Sequence, residues 1–229
     1  MKKPVLIVLH SESSTPGRLA PMLLKRGYPI DIRRPCLGEA LPESLAEHAG
    51  AAIFGGPMSA NDGDDWIGRE IDWIDVALAE EKPFLGICLG AQMLAKRLGG
   101  TVAAHPNGQV EIGYYPIAAT AAGAAYGPWP DHVYHWHRES FSLPRAAELL
   151  ATGETFENQA FRYGRRAYGI QFHPEVTRLT MHRWTVLGAH RFALPGAQDG
   201  NAHLAGNLIH DGALQAWFEA FLDRWLAPD

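Results

Sequence analysis

Val5 to Leu9 (VLIVL) is an unbroken run of β-branched residues and leucine. Two more such runs follow, Ala51 to Phe54 ahead of Gly55-Gly56-Pro57 and Pro83 to Ile87 ahead of Cys88. A strand without a polar face is covered on both sides, so these runs predict the strands of a parallel sheet. Turn residues after the first run lead into Leu19 to Leu24, also apolar. Between the second and third runs Ile67, Ile71, Ile74 and Leu78 recur at helical spacing, while Arg69, Glu70, Asp72 and Asp75 fall mostly off that stripe. The segment predicts an amphipathic crossover helix, and with its flanking runs a βαβ unit.

After Leu98 the pattern changes to shorter strands broken by Gly and Pro: Glu111 to Ile117, His132 to Trp136, Glu148 to Ala151, Gln159 to Tyr163 and Ala167 to Phe172. These predict antiparallel hairpins. A last stripe of Leu214, Trp217, Phe218, Phe221, Leu222 and Trp225, spaced i, i+3, i+4, i+7, i+8, predicts a final helix packed on the sheet.

Composition narrows the class. The 229 residues are 47% hydrophobic and 20% charged, enough apolar chain for a substantial core, and no repeat or linker divides it, so one domain spanning 1–229 is expected. The net charge of -5 is scattered, and Lys and Arg form no run longer than Arg33-Arg34 or Arg165-Arg166, which argues against a nucleic-acid partner. The N-terminal MKKPVLIVLH lacks a small-residue cleavage site, and no window reaches the roughly 20 apolar residues of a membrane span. A cytoplasmic protein without a membrane partner is expected. Its two cysteines, Cys36 and Cys88, are then both thiols.

Cys88 stands in Gly86-Ile87-Cys88-Leu89-Gly90, a G-x-C-x-G elbow between a buried strand and a helix. Such a sharp turn needs small neighbours, and the helix N-terminus beside the sulfur favours thiolate over thiol. Cys36, in Pro35-Cys36-Leu37, has no such setting and reads as a small core residue. Gln171-Phe172-His173-Pro174-Glu175 follows the last strand, and it offers a base in His173 with an orienting acceptor in Glu175. Gly55-Gly56-Pro57 can present a backbone N–H to a developing oxyanion, with the Leu89 N–H as second donor, and Gln92 lies one turn along the elbow helix.

GGP, GICLGAQ and QFHPEV, in this order and at these spacings, resemble the class I (triad-type) glutamine amidotransferases over Val5 to about Thr177. The resemblance implies an α/β, Rossmann-like (flavodoxin-like) three-layer sandwich: a mostly parallel central sheet, helices on both faces and a small antiparallel sheet. It implies a core of about residues 4–177 with a helical C-terminal extension, 178–229. It further implies a Cys88-His173-Glu175 triad, an oxyanion hole from the Gly56 and Leu89 amides, and no cofactor. Glutamine would be held through Gln92 and the segment His135-Trp136-His137-Arg138-Glu139. Where the family often has His-Gly-Asp or His-Gly-Phe, this chain has His137-Arg138-Glu139, and an arginine would be strained there if the position required a positive φ.

The expected reaction is hydrolysis of the γ-amide of glutamine through a Cys88 thioester, with ammonia passing to a separate synthase subunit or to none. An alternative with the same triad is a γ-glutamyl peptidase acting on a γ-glutamyl small molecule. A non-catalytic binding module is disfavoured because all three triad positions hold competent residues. An α/β-hydrolase is disfavoured because there the acid precedes the histidine.

Two further patterns read as structural. In His132, His135 and His137 (H-x-x-H-x-H) strand alternation separates His132 from the other two, so packing and pocket-rim histidines are expected and no metal. Asp62, Asp64 and Asp65 around Gly63 sketch a calcium loop, but Trp66 interrupts it and no glutamate falls at its twelfth position. A solvated helix start with Asp65 as N-cap is expected.

Overall fold

The computed structural model describes residues 2–227. In chain order the first half contains β1 (Val5–Val8), α1 (Leu19–Lys25), β2 (Ile30–Arg33), β3 (Gly50–Ile53), α2 (Asp65–Ala79), β4 (Phe84–Ile87) and α3 (Leu89–Arg97). The second half contains β5 (Val102–Ala104), β6 (Glu111–Ala119), α4 (Ala121–Ala124), β7 (His132–His137), β8 (Glu139–Phe141), β9 (Ala147–Gly153), β10 (Asn158–Tyr163), β11 (Ala167–Ile170), α5 (Arg178–Leu187) and α6 (Gly200–Trp225).

The three apolar runs are β1, β3 and β4, and with β2 and β11 they form a parallel array. Side chains alternate across a strand, so Val5, Ile7 and Leu9 enter one core while Leu6 and Val8 enter the other. Residues of α1 and α6 cover the first face, and α2 and α3 cover the second. This is the expected three-layer arrangement. Beyond β11 the sheet continues antiparallel through β10, β9, β6 and β7, giving the order β2-β1-β3-β4-β11-β10-β9-β6-β7, and β5 pairs with β8 in a small separate sheet.

The last stripe behaves as its spacing predicts: all six of its residues are buried on α6. Two other readings are corrected. Asp64, not Asp65, is the N-cap position of α2, and no side chain caps it; Asp65 is the first helical residue, and the whole Asp62 to Asp65 stretch is exposed. Glu70, grouped with the polar positions off the stripe, is fully buried, because the inner face of α2 runs through Ile67, Glu70, Ile74 and Ala77. Among the described residues no helix is long and apolar enough to cross a membrane.

Candidate active site

A single residue, Cys88, turns the chain from β4 into α3. It adopts φ 51° and ψ −104°, a backbone state that costs a side-chain-bearing residue on the order of 1–3 kcal/mol. Its surroundings hold it there. The Cys88 N–H donates to the Ile170 carbonyl at 2.8 Å, and its own carbonyl accepts from the Gln92 N–H at 3.0 Å. A Cβ on Gly90 would stand 2.1 Å from the Ile53 carbonyl oxygen, and one on Gly86 would stand 2.5 Å from the Gly90 carbonyl. The elbow closes only with glycine at both places.

His173 arrives from the connection after β11, its N–H donating to the Tyr134 carbonyl of β7 at 2.8 Å. Nδ1 of its ring lies 2.8 Å from Oε1 of Glu175, and the ring and the Cys88 side chain meet at Gly55, where an added Cβ would stand 3.4 Å from Cys88 Cβ. Trp184 of α5 meets the imidazole edge-on at 5.0 Å, and a Cβ on Gly55 would come within 2.7 Å of Cε1. Burial alone would push His173 down from its ordinary value. The Glu175 carboxylate, by charge and hydrogen bond, and the nearby Cys88 sulfur, by charge, outweigh it, and the ring is pushed up to about 10.

The fold also brings Gly56 and Leu89 together, since a Cβ on Gly56 would lie 3.0 Å from Leu89 Cδ2. Leu89 is the first residue of α3, where an N–H has no intrahelical acceptor. Among the described residues the Gly56 N–H has no acceptor either. Two free amides therefore lie beside the elbow.

The other expected residues divide. Gln92 is buried and donates from Nε2 to the Glu139 carbonyl at 2.7 Å, with Gln171 Oε1 at 3.3 Å. His137 is buried and donates from Nδ1 to the same carbonyl at 3.0 Å. Trp136 packs among Trp184, Phe192 and His203. Arg138 is exposed between β7 and β8 and is not among the residues with positive φ, so the anticipated strain does not arise. Cys36 is half-buried rather than a core residue, and its thiol is pushed up by burial and by the nearby Glu70 charge.

The histidine motif also resolves. His132 stacks on His210 at 4.2 Å, whereas His135 and His137 meet Glu111, which β6 places opposite His137. The Glu111 carboxylate lies 3.0 Å from His137 Nε2 and accepts from Gln159 Nε2 at 2.9 Å. Burial opposes ionisation of Glu111, but the two histidines and Gln159 overcome it and hold the carboxyl at about 2; burial pushes His135 down to about 3. No sequence motif marks Glu111. Nor does one mark His10 and Glu70, a buried pair beside Gly55, with His10 Nε2 2.8 Å from Glu70 Oε1 and Nδ1 3.1 Å from the Gly55 carbonyl.

The elbow, the two free amides and the histidine beside the sulfur agree with the chain's likeness to known proteins. Residues 7–186 match the glutamine amidotransferase class-I family, and the chain belongs to that family. It is 34% identical over 184 residues to the glutamine amidotransferase-like protein YfeJ of Salmonella typhimurium, covering 76% of each chain. It is 33% identical to the GMP synthase (glutamine-hydrolyzing) of Aeropyrum pernix over 70% of this chain and 31% of that one. The crystal structure of a glutamine amido transferase from Methylobacillus flagellatus superimposes with a TM-score of 0.92 at 29% identity, covering 99% of this chain and 95% of the other.

Proposed function

We propose that the protein hydrolyses the γ-amide of glutamine through a thioester on Cys88, with His173 and Glu175 completing a triad. The observation that carries this reading is the meeting of Cys88 and the His173 ring at Gly55, with that ring bonded to Glu175 through Nδ1. The relative named as glutamine-hydrolyzing supports the substrate.

The Cys88 thiolate adds to the amide carbon, and the carbonyl π electrons move onto oxygen. The Gly56 and Leu89 amides receive that oxyanion. Protonated His173 gives its proton to the amide nitrogen as the C–N bond breaks, releasing ammonia and leaving a γ-glutamyl thioester. The neutral histidine then takes a proton from water as hydroxide adds to the thioester carbon, and cleavage of the C–S bond returns thiolate, imidazolium and the γ-carboxylic acid, which gives its proton to solvent and leaves as glutamate. Gln92, with His137 and Glu139, shapes the wall that holds the glutamine, and a separate subunit receives the ammonia. No step calls on a cofactor.

The test is release of ammonia and glutamate in equal amounts from glutamine by wild type and by Cys88→Ala. Turnover by the wild type alone supports the reading, and equal turnover by a folded Cys88→Ala rules it out.

A further inference from the structure

The Gly55–Gly56 peptide carries a proposed oxyanion donor, yet neither of its residues has a side chain to hold it. Glycine backbones rotate more freely than any other, so this peptide is the one in the site most able to flip. Flipped, it would present a carbonyl oxygen where an N–H is needed.

His10 supplies the restraint. It follows β1, is 1% exposed, and points Nδ1 at the Gly55 carbonyl from 3.1 Å. A carbonyl can only accept, so Nδ1 carries the proton and donates. The other nitrogen, Nε2, is held at 2.8 Å by Glu70, whose side chain is likewise fully buried. The ring therefore cannot turn away without breaking a buried ion pair. Burial opposes the charge on His10, but Glu70 more than offsets it, so the ring is raised toward imidazolium, the form that donates from both nitrogens.

The peptide is planar and trans, as are all those among the described residues, so its C=O and N–H point to opposite sides. The carbonyl faces His10. Gly55, which carries that carbonyl, also packs against Cys88 and His173: an added Cβ would lie 3.4 Å from Cys88 Cβ and 2.7 Å from His173 Cε1.

We propose that His10, clamped by Glu70, is a positioning residue that fixes the Gly55–Gly56 peptide with its N–H turned toward the oxyanion formed on Cys88. The inference rests on the proposed thioester reaction. A cation bonded to the carbonyl also polarises the peptide and strengthens its N–H as a donor.

The test uses His10→Ala/Glu70→Gln, in which no buried carboxylate is left unpaired, and His10→Asn/Glu70→Gln, in which the asparagine amide nitrogen takes the place of Nδ1. Glutamine and γ-glutamyl-p-nitroanilide are the substrates, and alkylation of Cys88 by iodoacetamide is followed on its peptide by mass spectrometry. Alkylation passes through no oxyanion. The expected result for the alanine variant is a fall in kcat of about 100-fold, with KM and the alkylation rate within about threefold of wild type. The asparagine variant should recover at least about tenfold of that loss.

An alanine variant with wild-type kcat overturns the inference. So does an equal loss of turnover and alkylation, which would mean that the site had collapsed, or an asparagine variant no better than alanine. If the wild type turns over neither substrate, the thioester reading falls and this inference falls with it. Turnover by wild type and alanine variant alike removes the inference alone.

Discussion

The Glu175 carboxylate lies 2.8 Å from Nδ1 of His173, two residues earlier in the same connection, with Pro174 between them. One short turn thus sets both the tautomer and the charge of the proposed base. Glu175→Gln removes the charge that raises His173, so the histidine should lose its proton at lower pH. Since the native ring is held up to about 10, wild-type activity should persist into alkaline solution and fall as pH approaches that value; the variant's alkaline limb should lie lower. By analogy with other triads the variant should lose up to about 10⁴-fold in kcat at neutral pH. A pH profile of kcat for both proteins measures both effects, and an unmoved limb would contradict the pairing.

Gly90→Ala should unfold the elbow, because the new Cβ would meet the Ile53 carbonyl oxygen at 2.1 Å. Overpacking against backbone should cost about 3 kcal/mol or more, roughly 6–12 °C of Tm in a chain of this size. Gly68→Ala is the contrast: at an exposed position of α2, with nothing within 4 Å of its Cβ, it should stabilise by about 0.5–1 kcal/mol. Thermal unfolding of the two variants should move in opposite directions.

The elbow is legible in the sequence because it is local. Its glycines, its cysteine and the apolar strand before it lie within a few residues, and each is demanded by the same turn. The βαβ unit is legible for the same reason, since β3 and β4 are apolar on both faces. Glu70 is not. A glutamate on an amphipathic helix reads as solvent-facing, and only its partner His10, 60 residues away, allows it inside. Glu111 escapes likewise, because the register that sets it opposite His137 belongs to strand pairing and not to the motif. The edge strand β2, half-polar over Ile30–Arg33, offers no apolar run to read.

Acid stability should depend on Glu111 and His135. The Glu111 carboxyl is lowered to about 2 from an ordinary 4.5, so its contribution is complete above pH 4.5 and is lost as pH falls toward 2. His135 is lowered to about 3 from 6.5, so the unfolded chain takes up its proton first and stability declines as pH falls through that window. His135→Asn should flatten Tm between pH 6.5 and 4 relative to wild type. An identical slope in the variant would contradict the assignment.

Gln92→Ala should raise KM more than it lowers kcat, since Gln92 braces the Glu139 carbonyl in the proposed substrate wall. Arg138→Gly should change both by no more than about threefold, because Arg138 is exposed and its backbone is unstrained. Steady-state kinetics on glutamine separates the two, and a large gain on installing glycine would show that arginine impairs the site.

The thioester itself offers the most direct measurement. Acid quenching during turnover of glutamine, followed by mass spectrometry of the Cys88 peptide, should reveal the mass of one γ-glutamyl group on that peptide in the wild type. Glu175→Gln should carry it more weakly and Cys88→Ala not at all. Glutamate release without any adduct on Cys88, continuing undiminished in a folded Cys88→Ala, would contradict covalent catalysis by this cysteine.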